Sequence, residues 1–389
     1  MIRRTNIKYL VVILAVIYFL HLYFTTNNSQ PSLSEPSESH EKLKFELEIP
    51  RKEVPVSNNF NHTRQIGKAK ACFVILIRNE DLHEFRATMR QLEDRFNHKY
   101  NYPYVFLNDV PFTEGFKKFT RALTNAKTEY GLIPKKQWSV PDYIDTEFLE
   151  ERLEEMEDDE IAYGGSLSYR HMCRYESGFF FRHKLLDKYD YYWRVEPGVQ
   201  FYCDIDFDPF VYIRNHDIKY TFTVSLREYP ETIPTLWKAV KGFIKKYPQY
   251  IEKDNLMDFI SDDNGKTYNL CHFWSNFEIG DLNLWRSEAY LKFFDYLDRK
   301  GGFFYERWGD APVHSIAAAL FLKKHQVHFF NEIGYKHEPF MHCPKEEKLQ
   351  LKCHCDPNKN FDFDSYSCTG KFIDLVSKWK LEKFRGRGN

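Results

Sequence analysis

Hydrophobic and polar residues fall into blocks between residues 69 and 108 that predict a strand, a helix and a second strand. The segment "ACFVILIRN" is a continuous apolar run of strand length, typical of a strand buried on both faces. The segment after it carries apolar residues at helical spacing, namely Leu82, Phe85, Met89, Leu92 and Phe96. We predict that Asn79 caps this helix and that "YPYVFLND" forms the next strand. These lengths predict a βαβ unit, and therefore an α/β domain with a mainly parallel sheet.

Similar blocks continue towards the C-terminus. The segments "YDYYWRVE" and "KYTFTVSL" are apolar runs that predict further strands, and "DAPVHSIAAALFLKK" predicts a helix with Asp310 as its N-cap and Pro312 in its first turn. The charged run "EFLEERLEEMEDDE" is most simply a solvated helix face. Because no internal repeat or linker interrupts residues 69–389, we expect one domain there.

The N-terminal 68 residues have a different pattern. Residues 1–8 carry Arg3, Arg4 and Lys8, and the uncharged run "YLVVILAVIYFLHLYF" follows, so residues 9–25 predict a membrane-spanning signal-anchor with a cytoplasmic tail before it. Residues 26–68 are rich in Ser, Pro, Asn and Glu, which predicts a flexible stem. A cleaved signal peptide is the alternative, but small residues of the Ala-x-Ala type are missing after the run. We therefore expect a single-pass type II membrane protein whose domain at 69–389 is lumenal.

Cysteines and sequons agree with a lumenal domain. The chain has eight cysteines, an even number that suits an oxidising compartment, and Asn61 begins a glycosylation sequon in a polar stretch. The segment "HCPKEEKLQLKCHCD" combines Cys and His residues as zinc sites do, but thiolates are readily oxidised in such a compartment, so disulfides are the favoured prediction. The pairing of the cysteines stays open.

Composition and charge limit the classes of molecule that the protein is expected to bind. A net charge of -1 gives no reason to expect nucleic acid. Aromatic residues are abundant, with 26 Tyr, 35 Phe and 7 Trp. Such side chains fill cores and also stack on sugar rings and bases, so composition alone does not separate these uses.

The candidate chemistry lies at strand ends, where ligands gather in open α/β sheets. In "YYWRVEPGVQFYCDIDFDPF", three aspartates at positions 204, 206 and 208 have the Asp-x-Asp spacing that holds a divalent metal in many sugar-nucleotide transferases, but this spacing arises often by chance. Glu196 stands directly where its strand is broken by Pro-Gly, so position favours Glu196. Arg78, at the end of the first strand, is predicted to meet a nucleotide or phosphate, with a buried ion pair as the alternative. Glu278 lies in "HFWSNFEIGD", where a carboxylate is costly to bury unless it is paired or used.

Several long motifs make the chain recognisable. In this order, "SYRHMCRYESGFFF", "YYWRVEPGVQFYCDID", "NFEIG", "RWGDAPVHS" and "EIGYKHEPFMHCP" resemble the fungal Golgi α-1,2-mannosyltransferases of the KRE2/MNT1 (KTR) family, glycosyltransferase family 15. The resemblance extends from about residue 71 through the C-terminal region. It implies a GT-A-like fold, GDP-mannose as donor, Mn2+ as cofactor, retention of anomeric configuration, and a type II protein of the Golgi membrane, with the endoplasmic reticulum as the alternative location.

The resemblance also implies a metal site. Glu196 takes the role of the Asp-x-Asp acids, and His337 is the second protein ligand, in a set that a hard six-coordinate ion accepts together with diphosphate oxygens and water. Gly198 stands where the family often has Asp, so we expect a looser turn here. The competing interpretation is that Glu196 only ends a strand and His337 is a packed core histidine.

Three more residues receive roles by resemblance. Glu278 faces the anomeric carbon, either as the nucleophile of a double displacement or as a stabiliser of an oxocarbenium-like centre in a same-face substitution. A backbone or Arg partner is the structural alternative for Glu278. Asp310 is the family's second acid, a role that competes with helix capping, and Tyr169 lines the acceptor pocket.

The sequence thus predicts a retaining α-1,2-mannosyltransferase that acts on mannoside acceptors of glycoproteins. Mannosyl-phosphate transfer is the enzymatic alternative, because the same family has members linked to it. A lumenal glycan-binding protein without turnover is the alternative from another class. Glu196, His337 and Glu278 together argue against that class, since a binder needs neither a metal pair nor an opposed carboxylate.

Overall fold

A computed structural model describes residues 67–385, with side chains up to residue 380. The predicted cytoplasmic tail and anchor, the predicted stem up to residue 66, and Asn61 lie outside the described residues. Among residues 67–385, no helix is long and apolar enough to span a bilayer.

Twelve strands occur in residues 67–385. They are β1 Ala71–Leu76, β2 Tyr104–Asn108, β3 Thr128–Leu132, β4 Tyr191–Arg194, β5 Gln200–Phe201, β6 Tyr220–Phe222, β7 Ser225–Arg227, β8 Cys271–Phe273, β9 Glu278–Asp281, β10 Val327–Phe329, β11 Tyr335–His337 and β12 Phe340–His342.

Seven of these strands form the central sheet, in the order β10-β6-β9-β4-β1-β2-β3. Strands β4, β1, β2 and β3 are parallel to their neighbours in this group, and β10 is parallel to β6. Only β9 runs against the strands beside it, β4 and β6. The predicted fold class, an α/β domain with a mainly parallel mixed sheet, is confirmed.

The α-helices of the described residues connect and cover the strands. They are α1 Leu82–Leu92, which continues through a π-helical turn Glu93–Asn97 and a last turn His98–Tyr100, α2 Glu114–Arg121, α3 Thr146–Asp158, α4 Leu167–Gly178, α5 Pro209–Asn215, α6 Leu236–Lys246, α7 Met257–Ile260, α8 Leu282–Trp285, α9 Glu288–Asp298, α10 Gly302–Tyr305, α11 Asp310–Phe321, α12 Glu347–Gln350 and α13 Thr369–Arg385.

Alternate residues of β1 enter two hydrophobic cores, one on each face of the sheet. Phe73 and Ile75 pack with the apolar faces of α1, α2 and α5. Cys72 and Val74 pack with α4, α6, α9 and α11 on the other face. Because successive side chains of a strand point to opposite faces, a strand buried on both sides needs the continuous apolar run that the sequence shows.

A smaller sheet and three disulfides extend the domain. Strand β11 pairs antiparallel with both β5 and β12. Disulfides join Cys203 to Cys353, Cys271 to Cys368 and Cys343 to Cys355. Cys72 and Cys173 are buried free thiols. The disulfide prediction for the C-terminal cysteines is therefore confirmed over the zinc alternative.

Two details of the sequence prediction differ in the structure. Helix α1 begins later than predicted, with Asp81 at its N-cap position, so the capping role of Asn79 is wrong. The Asn79 side chain instead donates to the carbonyl of Pro111 and accepts from the Thr113 N–H, which anchors the loop after β2. The segment "KYTFTVSL" forms two short strands, β6 and β7, rather than one.

Candidate active site

A cleft of about 330 Å³ lies at the carboxyl ends of β1, β2 and β4, beside the N-terminus of α4. Its volume falls in the range of small-molecule sites, about 300–1,000 Å³. Three of the residues singled out from sequence, Arg78, Tyr169 and Glu196, line it together. These residues are far apart in the chain, and the parallel strands bring them to one edge of the sheet.

Glu196 and His337 are brought together by the small sheet. Glu196 follows the end of β4 by two residues, and after a turn the chain forms β5, which pairs with β11, the strand that ends at His337. Nε2 of His337 lies 3.8 Å from Oε2 of Glu196. Two ligand atoms bound at about 2.1 Å to one octahedral ion are separated by about 3 Å in cis and about 4.2 Å in trans positions, and the observed separation lies between these values.

The local structure leaves His337 able to bind a metal and fixes the turn after Glu196. Nδ1 of His337 lies 3.0 Å from the carbonyl oxygen of Glu338, and donation to that carbonyl leaves the Nε2 lone pair free for a metal. In the turn after Glu196, Gly198 has φ of +77°, and a Cβ there would meet Oε1 of Glu84 at 2.7 Å. The turn therefore has a backbone conformation that favours glycine.

The three aspartates of the Asp-x-Asp pattern have other partners. Asp204 pairs with Arg95 at 2.8 Å, and Asp206 pairs with Lys352 at the surface. Asp208 accepts N–H groups of Phe210 and Val211 and so caps α5. Their structural roles agree with the preference for Glu196 as the metal-binding acid.

Asp310 lies in a buried cluster of charged groups beneath the cleft. It is the first residue of α11, with Gly309 at the N-cap position, so the predicted capping role is wrong. Its Oδ2 instead accepts from Nη1 of Arg194 at 2.5 Å and from the Ser275 hydroxyl at 2.8 Å. Burial raises the pKa of Asp310, but Arg194, His314 and the Ser275 hydrogen bond together hold the pKa below its usual value.

Glu176 faces the same guanidinium without a close bond. Its Oε2 is 4.0 Å from Nη1 of Arg194, and the side chain is buried. Burial, together with the acids around Arg194, raises the pKa of Glu176 to about 7, against the lowering effect of Arg194. A carboxyl group that gains a proton near neutral pH therefore lies next to the site.

Glu278 is fully buried, with an exposed fraction of 0%. It begins β9, and because β9 is antiparallel, this start lies opposite Arg194 at the carboxyl end of β4. Its carboxylate accepts from the hydroxyls of Tyr192 and Tyr220 and contacts Nδ1 of His314, each at 2.8 Å. Burial lowers the pKa of His314, but the Glu278 carboxylate outweighs burial and raises it, which favours an ion pair. The partners of Glu278 are thus two tyrosines and a histidine, not the backbone or Arg partner that was the structural alternative.

Tyr169 lies on the wall of the cleft that α4 forms, and Arg78, after β1, contacts that wall. The Tyr169 ring stacks on Tyr163 with centroids 4.4 Å apart, and its hydroxyl accepts from Nη1 of Arg307 at 3.2 Å. Arg78 is exposed and donates to the Ser168 hydroxyl at 2.5 Å, so the alternative of a buried ion pair for Arg78 is wrong. Together with the positive end of the α4 dipole, Arg78 makes this wall suitable for a phosphate.

Sequence reasoning missed several residues of the site. Asn108 ends β2 and lines the cleft, is 2% exposed, and its Nδ2 has no hydrogen-bond partner within residues 67–385. An unpaired buried donor costs about 1–3 kcal/mol, so this atom fits a ligand acceptor. Arg194 and His314 carried a signal that was not used, since each is a charged or titratable residue inside an otherwise apolar run.

The donor set fits a hard divalent cation with a nucleotide beside it. The Glu196 carboxylate, which lines the cleft, and the His337 imidazole 3.8 Å from it offer two ligands, and phosphate oxygens and water supply the others in such sites. The unpaired Asn108 amide and the Arg78 guanidinium offer donors to a nucleotide. Glu196 and His337 are therefore the residues that would hold the ion.

Known proteins are similar in sequence to most of this chain. The sequence profile of the glycolipid 2-alpha-mannosyltransferase family matches residues 27–377. The chain is 55% identical to glycolipid 2-alpha-mannosyltransferase 2 of Candida albicans, covering 82% of this chain and 69% of the relative, and 55% identical to alpha-1,2 mannosyltransferase KTR1 of Saccharomyces cerevisiae, covering 79% of each. It is 52% identical to O-glycoside alpha-1,2-mannosyltransferase omh1 of Schizosaccharomyces pombe, covering 78% of each.

Solved structures are similar as well. The crystal structure of core-mannan synthase A from Aspergillus fumigatus, in its Mn/GDP form, has a TM-score of 0.76 and 43% identity, covering 80% of this chain and 86% of that one. The mannosyltransferase Ktr4p of S. cerevisiae, in complex with GDP, has a TM-score of 0.76 and 39% identity, covering 79% of this chain and 82% of that one.

Proposed function

We propose a function from the premise that this chain belongs to the glycolipid 2-alpha-mannosyltransferase family. It is an α-1,2-mannosyltransferase that moves mannose from GDP-mannose to the 2-hydroxyl group of mannosides in O-linked or N-linked glycans of glycoproteins. Because the mannose of GDP-mannose is α-linked and the new linkage is also α, the transfer retains the anomeric configuration.

The observation that carries the proposal is the Glu196–His337 pair, which lies at the edge of the sheet where Arg78 and Tyr169 line the same cleft. Mn2+ is the cofactor, and we propose that turnover depends on it and that Glu196 and His337 hold it. When bound, the ion neutralises negative charge on the diphosphate leaving group.

The other site residues divide between donor and acceptor. Arg78 and the N-terminus of α4 bind the nucleotide part of the donor, and Asn108 donates from Nδ2 to an acceptor atom of the same nucleotide. Tyr169, whose hydroxyl is oriented by Arg307, positions the acceptor mannoside. Glu278 is proposed to stabilise positive charge at the anomeric centre from the buried side. Its three hydrogen bonds fix the carboxylate and favour this electrostatic role over direct attack.

The proposed location is the Golgi membrane, with the catalytic domain in the lumen and residues 9–25 as a type II anchor. Three disulfides within residues 67–385 support an oxidising compartment. Asn61 is proposed to be glycosylated there.

The direct test is a product analysis. The purified protein is incubated with GDP-mannose, Mn2+ and a panel of mannosides, with matched reactions that lack the acceptor or contain a chelator. We expect GDP release that needs both acceptor and Mn2+, and a product cleaved by an α-1,2-specific mannosidase. A product labile to mild acid would instead identify mannosyl-phosphate transfer. Glycan binding without GDP release would identify a binding protein.

The roles of the two glutamates are tested by separate measurements of binding and turnover. Glu196→Ala should weaken the binding of Mn2+ and GDP together, because Glu196 would hold the ion that offsets the negative charge of the diphosphate. Glu278→Gln should leave both affinities almost unchanged while turnover falls by several orders of magnitude. Calorimetric titration of GDP with and without Mn2+ separates them, and the opposite pattern would show that the roles are reversed.

A further inference from the structure

We propose that Arg194 is a positioning residue of the metal site, which selects the oxygen of Glu196 that faces the ion. This inference rests on the proposed role of Glu196 and His337. Arg194 is the last residue of β4, is buried, and lines the cleft beside Glu196.

The hydrogen bonds of Arg194 distinguish the two oxygens of Glu196. Nε and Nη2 of Arg194 both donate to Oε1 of Glu196, at 3.0 and 2.5 Å. Oε2 is left on the side of His337, 3.8 Å from Nε2. A guanidinium offers its N–H groups in a rigid planar fork, so two bonds to one oxygen hold Oε1 in place and leave Oε2 available to an ion.

The remaining nitrogen of the guanidinium, Nη1, fixes the position of the Arg194 side chain. Nη1 donates to Oδ2 of Asp310, which also accepts from the Ser275 hydroxyl. Asp310 is itself fixed at the start of α11. The metal-binding acid is therefore joined through Arg194 to the core of the domain, although it lies in a turn after a strand. Partners that orient a metal ligand typically change metal affinity by about 10–100-fold when they are removed.

Charge and orientation must be separated in the test. The positive charge of Arg194 repels a cation while its hydrogen bonds orient the ligand, so the loss of the whole side chain has two opposing effects. Arg194→Lys keeps the charge and removes the fork. A matched control is Arg174→Lys, since Arg174 makes a buried two-bond pair with Asp298 outside the cleft.

The experiment is a double-mutant cycle on Mn2+ affinity, measured by calorimetry in saturating GDP, with thermal unfolding of each variant as the measure of fold. Arg194→Lys should weaken Mn2+ binding about 10–100-fold. In a Glu196→Ala background the same substitution should change Mn2+ affinity by less than about 2-fold, because no carboxylate remains to be oriented. Arg174→Lys should lower thermal stability and leave Mn2+ affinity unchanged.

Several outcomes would overturn the inference. The first is that Arg194→Lys binds Mn2+ as tightly as the native protein. The second is that Arg194→Lys loses the same Mn2+ affinity with and without Glu196. If Arg194→Lys does not fold, Asp310→Asn replaces it in the cycle. Asp310→Asn should weaken Mn2+ binding about 2–10-fold, and this effect should disappear in the Glu196→Ala background. Unchanged Mn2+ affinity in Asp310→Asn would equally overturn the inference. If Glu196→Ala itself binds Mn2+ as the native protein does, the proposed metal site fails instead.

Discussion

The substitution Glu278→Gln tests whether the buried carboxylate is an ion held by its three partners. The change keeps the shape of the side chain, removes the negative charge, and replaces one acceptor oxygen by an NH2 group. Two tyrosine hydroxyls and His314 contact the carboxylate at 2.8 Å, and none of it is exposed to water. Hydrogen bonds to a charged acceptor contribute about 1 kcal/mol more than neutral ones, so three of them amount to about 3 kcal/mol.

The ion pair with His314 determines how the stability lost in Glu278→Gln depends on pH. The pKa of His314 is raised in the folded protein because Glu278 outweighs the lowering by burial. The contribution of the pair to stability is therefore fully present below the unfolded pKa of about 6.5 and is lost as pH rises through the folded value. Loss of one partner of a buried pair costs about 3–5 kcal/mol, so we expect Glu278→Gln to lose that much stability at pH 6 and less at alkaline pH.

Equilibrium urea unfolding followed by tryptophan fluorescence measures this difference at several pH values. Tyr220→Phe is the matched control, because it removes one hydroxyl donor to Glu278 and keeps the charge, with an expected loss of about 1–2 kcal/mol. Equal unfolding midpoints for Glu278→Gln and the native chain at pH 6 would refute the reasoning. If the stability lost on Glu278→Gln did not depend on pH, an ion pair with His314 would not explain the loss.

Three further substitutions test neighbouring parts of the site. Asp206→Ala should keep most activity and its Mn2+ dependence, because Asp206 pairs with Lys352 at the surface; loss of Mn2+ dependence in activity assays would place the metal there. Glu176 contributes stability that is fully present below about pH 4.5 and lost as pH rises through its raised pKa of about 7. Glu176→Gln should therefore gain about 2–3 kcal/mol relative to the native chain between pH 5 and pH 8 in urea unfolding, and a flat difference would contradict this. Asn108→Ala removes the unpaired donor and should weaken GDP about 2–10-fold in calorimetry, whereas unchanged affinity would exclude contact with the nucleotide.

Local pattern was enough for much of the fold. The run that forms β1, the helical spacing of α1 and the run that forms β2 predicted a parallel βαβ unit, which the register of β1 and β2 confirms. Such elements follow from the sequence because side-chain direction repeats every two residues in a strand and every 3.6 in a helix. Asn79 shows where local pattern fails as a predictor, since capping depends on where the chain turns. The Asn79 side chain donates to the carbonyl of Pro111 instead of capping α1.

The position of Glu196 at the end of an apolar strand was also visible in the sequence, because Pro-Gly follows it directly. Its partners were not. His337 reaches it only because β5 pairs with β11, and Glu278 lies opposite Arg194 only because β9 runs against its neighbours. The burial of Asp310 likewise depends on the packing of α11 in the core, where the carboxylate accepts from Arg194 instead of capping the helix.

The sequence thus determined the βαβ unit of β1, α1 and β2, the strand β4 and the acid two residues after it, since each depends on neighbours within a few residues. Strand order, the direction of β9 and the hydrogen bonds around Arg194 were decided by the tertiary structure. The physical reason is that contacts between distant segments depend on how whole sheets and helices bury their apolar faces, and many sequences with the same local periodicity satisfy that requirement in different arrangements.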